Sequence, residues 1–175
     1  PQVGDHIVVL QHPVTLEWET AHDQIVETFE AVSSVDKQIF WFWPNIDAGS
    51  ESSSKALRRF REKGRSGKIR FMRNLRPESF LELINSAMCL VGNSSVGIRE
   101  AAFLGVPAIA VSLYLSNRNN ICYDRAAEIA RNTIDRVLEN ELFPHEVLNI
   151  NIPVCESYDM PMPRIKVVEM NAAGD

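Results

Sequence analysis

The stretch Met88-Cys-Leu-Val-Gly-Asn-Ser-Ser-Val-Gly-Ile-Arg-Glu-Ala-Ala-Phe-Leu-Gly-Val-Pro-Ala-Ile-Ala-Val-Ser-Leu113 decides how the chain folds. Met88 to Val91 is an apolar burst too short for a helix and suited to a strand buried on both faces. Gly92 and Asn93 tolerate a sharp turn, and Ser94 or Ser95 can cap the helix that follows. That helix is expected from Val96 to Leu104, ended by Gly105 and Pro107. Ala108 to Leu113 reads as the next buried strand. A strand–helix–strand unit this short implies parallel strands joined by a right-handed crossover.

The turn also suggests chemistry. Unpaired N–H groups and a partial positive charge make a helix N-terminus a seat for phosphate. Ser94 and Ser95 add hydroxyls, Gly97 lets a ligand approach the backbone, and Glu100 could accept hydrogen bonds from sugar hydroxyls. The plainer reading stays open: the serines only cap, and Glu100 only complements the helix dipole.

Outward from this unit the same rhythm repeats. Asp5 to Gln11 reads as a strand ending in His12-Pro13. A helix follows with Trp18, His22, Ile25, Phe29 and Val32 on one face and Glu17, Glu19, Glu27 and Glu30 largely on the other. Gln38 to Trp43 is a second, strongly aromatic strand. Pro44 to Ser54 is a Ser-rich polar loop leading to a helix that reaches Gly64. Its Lys55, Arg58, Arg59, Arg61 and Lys63 read as a solvated face, since no interleaved aromatics point to nucleic acid. Lys68 to Arg73 is a third strand, and Pro77 opens a helix through Ser86.

Strands alternating with helices predict an α/β fold, a doubly wound parallel (Rossmann-like) sheet with a C-terminal strand extension. In the order 3-2-1-4-5 the first and fourth strands are neighbours at the topological switch point. Their ends would then bring His12 beside Gly92-Asn-Ser-Ser95. A lone strand-end histidine is commonly structural, and it is this location that makes His12 a site candidate. Beyond Asn140 the rhythm is lost. Ala126, Ala130, Ile134 and Val137 mark an amphipathic helix, and Leu148, Ile150 and Ile152 alternate with Asn149 and Asn151 as a strand with one polar face. Arg164 to Met170 is expected as a final strand. The boundaries expected are 1–140 for the α/β domain and 141–175 for an extension or dimerisation arm.

The 175 residues suffice for one domain with a sizeable core. A net charge of −5 and the lack of a basic run argue against a nucleic-acid partner. No apolar run approaches membrane-spanning length and no signal peptide is visible, so a cytoplasmic location without a membrane partner is expected. Pro1 reads as a processed or engineered terminus. Cys89, Cys122 and Cys155 are too few and too scattered for a disulfide framework or a zinc site. No metal-ligand spacing occurs and no cofactor is implied.

Gly92-Asn-Ser-Ser-Val-Gly-Ile-Arg-Glu100 resembles the signature of the hydrolysing UDP-N-acetylglucosamine 2-epimerases. Phe71-Met-Arg-Asn-Leu-Arg-Pro-Glu-Ser-Phe80 and Val9-Leu-Gln-His-Pro-Val-Thr15 resemble the same family in the same order, over roughly Gly4 to Pro107. The resemblance implies the second domain of a two-domain, glycosyltransferase-B-like fold. It also implies a site for UDP or a UDP-sugar formed by His12, Arg73, Asn93, Ser94, Ser95, Gly97 and Glu100. Ser94, Ser95 and the N–H groups of Val96 and Gly97 would hold phosphate, with Glu100 on the ribose and His12 near the diphosphate. The acid/base carboxylates of that family belong to its first domain, so no catalytic residue is assigned here beyond His12 as a weak candidate.

Ala108-Ile-Ala-Val-Ser-Leu113, Tyr123-Asp-Arg-Ala-Ala-Glu-Ile-Ala130 and Val147-Leu-Asn-Ile-Asn-Ile-Pro153 resemble instead the second half of the SurE-type survival nucleotidases. That family uses an N-terminal Asp-Asp pair for its metal, and no adjacent Asp pair occurs in this sequence. The two resemblances meet near residues 97–107, the pattern of a chimera. A natural epimerase relative with a drifted tail is the alternative. Three readings follow: a catalytically incomplete domain with a residual, weak UDP site; a subunit of a working epimerase; or a nucleotidase-like phosphatase. The resembled nucleotidases dimerise through C-terminal extensions, which implies a homodimer.

Overall fold

The computed structural model describes residues 4–13, 19, 21–44, 50–62, 67–106, 108–113, 122–138, 147–153 and 155–167. These fall into two compact units, one comprising Pro1–Ala108 with Phe143–Val147 and the other Ile109–Leu142 with Leu148–Asp175.

The first unit is built on four parallel strands, β1 (His6–Leu10), β2 (Gln38–Phe42), β3 (Ile69–Met72) and β4 (Cys89–Gly92), in the order β3-β2-β1-β4. Every residue of β1 is buried, as expected for a central strand covered on both faces. Successive side chains take opposite faces. Ile7, Val9, Ile39 and Trp41 join one core cluster with Ile25, Phe29 and Val32 of α1 (Ala21–Ser33) and Ala56, Leu57 and Phe60 of α2 (Ser50–Glu62). Phe29 stacks on Phe60 with ring centroids 3.8 Å apart and planes 6° from parallel, which ties the two helices together. Val8, Leu10 and Phe42 face the other way, onto Ile84 of α3 (Pro77–Asn85) and Ala101 of α4 (Glu100–Phe103). His6 is fully buried on this second face, its Nε2 2.9 Å from the Leu83 carbonyl and its ring edge-on to Phe40.

A doubly wound α/β fold is therefore the architecture of this unit, with three local corrections. Ala21, rather than His22, joins the buried face of α1, and His22 instead bonds Asp23 at the surface at 3.1 Å. Trp18 and Glu17 lie outside the described residues. Part of the expected polar loop is helical, since α2 begins at Ser50 and buries Ser53 completely. Asp47, Gly49, Lys63 and Gly64 are not among the described residues.

The largest departure follows β4. The helix expected over Val96–Leu104 is broken into a 3₁₀ turn, Ser95–Gly97, and the four-residue α4. Val96 and Ala101 both pack into the second core cluster. In one continuous α-helix five residues advance about 500°, leaving them about 140° apart around the axis. The break at Ile98–Arg99 lets both turn inward, and Ser95 accepts from the N–H groups of both Ile98 and Arg99, at 3.1 and 3.0 Å.

The second unit contains β5 (Ala108–Leu113) and β6 (Val147–Ile152), each except its first residue, and α5 (Tyr123–Leu138). β5 does not extend the four-stranded sheet as a fifth member. It pairs with β6 in a separate two-stranded sheet. Ala126 and Ile129 of α5 cluster with Ile150, Ile152 and Cys155, and Ile109, Ala130, Ile134 and Leu148 pack against them. Asn149 and Asn151 point to solvent, as the alternation predicted. The side chain of Val137 and the whole of Asn140 and Pro144 fall outside the description. Arg164–Val167 is irregular rather than a strand, and 168–170 lie outside the described residues. Pro161 and Pro163 remove backbone donors just upstream, and Val167 is 90 % exposed, so no partner strand rewards extension.

Candidate functional site

The carboxyl ends of β1 and β4 meet at the switch point of the first unit, with Leu10 opposite Gly92. Gly92 has φ of 142°, and a Cβ built there would lie 2.0 Å from the Leu10 carbonyl oxygen. Only glycine can occupy this position. The next N–H, that of Asn93, donates to the same Leu10 oxygen at 3.2 Å. The Asn93 side chain then turns back to β1. The His12 N–H donates to Asn93 Oδ1 at 2.8 Å, and Asn93 Nδ2 donates to the His12 carbonyl, also at 2.8 Å. His12 and the Gly92–Ser95 turn are thus brought together, as the strand order implied.

The donors of this turn differ from the expected set. The Val96 N–H donates to Ser94 Oγ at 3.4 Å, and the Gly97 N–H donates to the Ser94 carbonyl at 3.2 Å. Both are engaged within the turn. The backbone N–H groups of Ser94 and Ser95 and the Ser95 hydroxyl have no acceptor among the described residues. Ser94 does cap, but through its own turn rather than a long α-helix. With only a 3₁₀ turn and a four-residue helix behind it, the site draws little on a macrodipole, so donors fixed by the turn carry its attraction for anions.

Gly97 needs no glycine for packing: a Cβ there would meet Leu90 Cδ2 at an ordinary 3.5 Å. Glu100 is half-buried, and its Oε2 is buried without a hydrogen-bond partner among the described residues. An orphaned carboxylate oxygen is costly to bury.

Arg73 stands apart. It follows β3, two strands from β1, and at about 4.8 Å per strand spacing that is roughly 10 Å along the sheet. There it lines a cavity of about 670 Å³ with Trp43, Pro44, Ser54, Arg58 and Arg61. Arg58 and Arg61 are three residues apart on α2 and share one side of it. Their spacing was the only sign in the sequence that they would meet Arg73. The clamp of Asn93 on the His12 backbone had no such sign. Among the described residues no cluster of three or more His, Cys, Asp or Glu side chains could hold a metal, and no helix is long and apolar enough to cross a membrane.

A parallel sheet covered on both faces, with a histidine and a polar turn clamped together at its switch point, places the first unit in the doubly wound, Rossmann-like class. The profile of the UDP-N-acetylglucosamine 2-epimerase family matches residues 2–148, and the chain belongs to that family. It is 38% identical over 108 residues to the UDP-N-acetylglucosamine 2-epimerase of Neisseria meningitidis serogroup B (strain ATCC BAA-335 / MC58), covering 62% of this chain and 28% of that protein. It is 31% identical, also over 108 residues, to the polysialic acid biosynthesis protein P7 of Escherichia coli, covering 61% of this chain and 27% of that protein. The matched part is therefore less than a third of either relative's length. The family match continues past Pro107, across β5 and α5, to residue 148.

Proposed function

We propose that the chain is the UDP-recognising portion of a hydrolysing UDP-N-acetylglucosamine 2-epimerase. The observation that carries this reading is the double hydrogen bond between Asn93 and His12, which fixes the serine turn beside His12 at the switch point. The Ser94 and Ser95 N–H groups and the Ser95 hydroxyl hold the diphosphate. Glu100, half-buried one turn on, accepts from the ribose hydroxyls. Gly97 keeps the approach to the backbone open, His12 lies near the diphosphate, and Arg73 adds positive charge farther along the same rim. In this reading the acid/base carboxylates come from another domain of the family. The chain alone binds UDP weakly, on the order of 0.1–1 mM, and does not turn over the sugar nucleotide.

Titration with UDP followed by amide NMR tests this. The Ser94 and Ser95 amides shift most, and Glu100→Ala weakens UDP more than inorganic phosphate. Saturating UDP that leaves both amides unmoved refutes it. Epimerisation of UDP-N-acetylglucosamine by the chain alone, abolished by Ser94→Ala, would show that the catalytic groups are present after all.

A joined origin, with a nucleotidase-like segment following the epimerase-like one, is favoured by one observation: the boundary between compact units at Ala108–Ile109. The family match through residue 148 weighs against it. Metal-dependent hydrolysis of a nucleoside monophosphate by the full chain would support the nucleotidase alternative, and its absence with manganese or magnesium would count against it.

A further inference from the structure

We propose that Cys122 and Cys155 are a dithiol that a hydroperoxide converts to an intramolecular disulfide, a modification site that fastens the segment after β6 to the start of α5. In the sequence these cysteines look scattered. In the second unit the Cys122 N–H donates directly to the Cys155 carbonyl at 2.7 Å. The bond sets the two backbones side by side, with each Cα only one or two covalent bonds from the bonded atoms. Disulfides need Cα atoms roughly 4.4–6.8 Å apart. Both thiols are free.

Their surroundings assign an order to the chemistry. Cys155 is only 2 % exposed and its Sγ lies 3.4 Å from the Pro153 carbonyl oxygen. Burial raises its thiol above the ordinary range, Cys122 raises it further, and the Arg125 charge offsets part of the rise. Cys122 is half-buried and meets the oxidant first. Its sulfur attacks the peroxide, the O–O bond breaks, and Cys122 becomes a sulfenic acid with release of an alcohol or water. The Cys155 sulfur then attacks the sulfenic sulfur. The S–S bond forms, and the hydroxyl leaves as water with the Cys155 proton. Two thiols have supplied the two electrons that reduced the peroxide. The product joins the residue preceding α5 to the strap that also bonds Arg125, through the Met160 carbonyl, and lies against that side chain with Tyr158.

The test uses the full chain, hydrogen peroxide as oxidant and an alkylating quench after unfolding. Free thiols should fall from three per chain to one, Cys89 should remain alkylatable, and a linked Cys122–Cys155 peptide should appear and vanish with dithiothreitol. Cys122→Ser should keep both remaining thiols under the same treatment. Hydrogen exchange in the first turn of α5 should slow in the oxidised wild type alone. A titre that stays at three overturns the proposal. So does over-oxidised Cys122 beside a still alkylatable Cys155, a bond to Cys89, or a bond between two chains. If Cys122→Ser fails to fold, the wild-type peptide map decides by itself.

Discussion

Asn93 and His12, 81 residues apart in sequence, exchange two hydrogen bonds of 2.8 Å through the Asn93 side chain and the His12 backbone. Both functions of the amide are engaged, so Asn93 acts on any ligand through His12 and the turn. Its removal tests whether the histidine's placement matters. Asn93→Ala forfeits two hydrogen bonds at about 0.5–1.5 kcal/mol each, roughly 1–3 kcal/mol of stability. UDP affinity should fall with it. Asn93→Asp keeps only the acceptor and should lie between. Urea unfolding and UDP titration of both variants check the pair of effects, and unchanged UDP affinity in Asn93→Ala would remove His12 from the site.

Two glycines in the same loop should behave oppositely. Gly92→Ala drives a methyl into the Leu10 carbonyl at a φ alien to alanine, and should lose roughly 3 kcal/mol or more. Gly97→Ala makes only an ordinary contact and should be neutral or stabilising by about 0.4–1 kcal/mol. If the ligand approaches Gly97 closely, that stable variant should nonetheless bind UDP more weakly. Urea midpoints beside UDP titrations separate the two roles.

At the N-terminal ends of the strands, Lys37 hydrogen-bonds Asp5 at 2.8 Å and Lys68 bonds Asp36. Each lysine, first by its hydrogen bond and then by its charge, holds its partner's carboxyl below the usual 3.8. A lowered folded pKa means stabilisation present above the unfolded value and lost as pH falls through the folded one. Both carboxylates are exposed, so salt should weaken the effect. Carboxyl-carbon NMR titration should place both midpoints below 3.8, and Lys37→Ala should return Asp5 toward that value while moving Asp36, held mainly by Lys68, much less.

The irregular segment ending in Ile165 and Val167 leaves Met162, Ile165 and Val167 exposed on the surface. We expect a homodimer that covers this segment. Light scattering at increasing concentration should show it, and Ile165→Asp with Val167→Asp should return the chain to monomer. A strict monomer at high concentration contradicts the expectation.

The sheet was legible because its signals are local and redundant: β1 and β2 are short apolar bursts between polar turns, and parallel pairing follows from the helices between them. The order of β1 beside β4, and with it the approach of His12 to Ser94, followed from topology alone. The break in the Val96–Leu104 helix was not legible. Whether Val96 and Ala101 both turn inward depends on Leu90 and Leu10 beneath them, a tertiary demand that overrides a weak local preference. The departure of β5 was hidden for a similar reason, since a buried strand reads the same whichever sheet it joins. Ser94 and Ser95 were recognised as residues, but which of their groups stay available depends on hydrogen bonds that spacing does not encode.

The division of the chain at Ala108–Ile109 also sorts its chromophores. Among the described residues, Trp41 and Trp43 belong to the first unit, and Tyr123 and Tyr158 to the second. Trp41 is fully buried, beside Phe29 and Phe71, so its emission should shift to the red when that core opens. The tyrosine bands, separated from those of tryptophan by second-derivative absorbance, follow the other half. One unlabelled sample therefore carries two independent optical gauges, and their melting curves will coincide only if the two halves come apart as one.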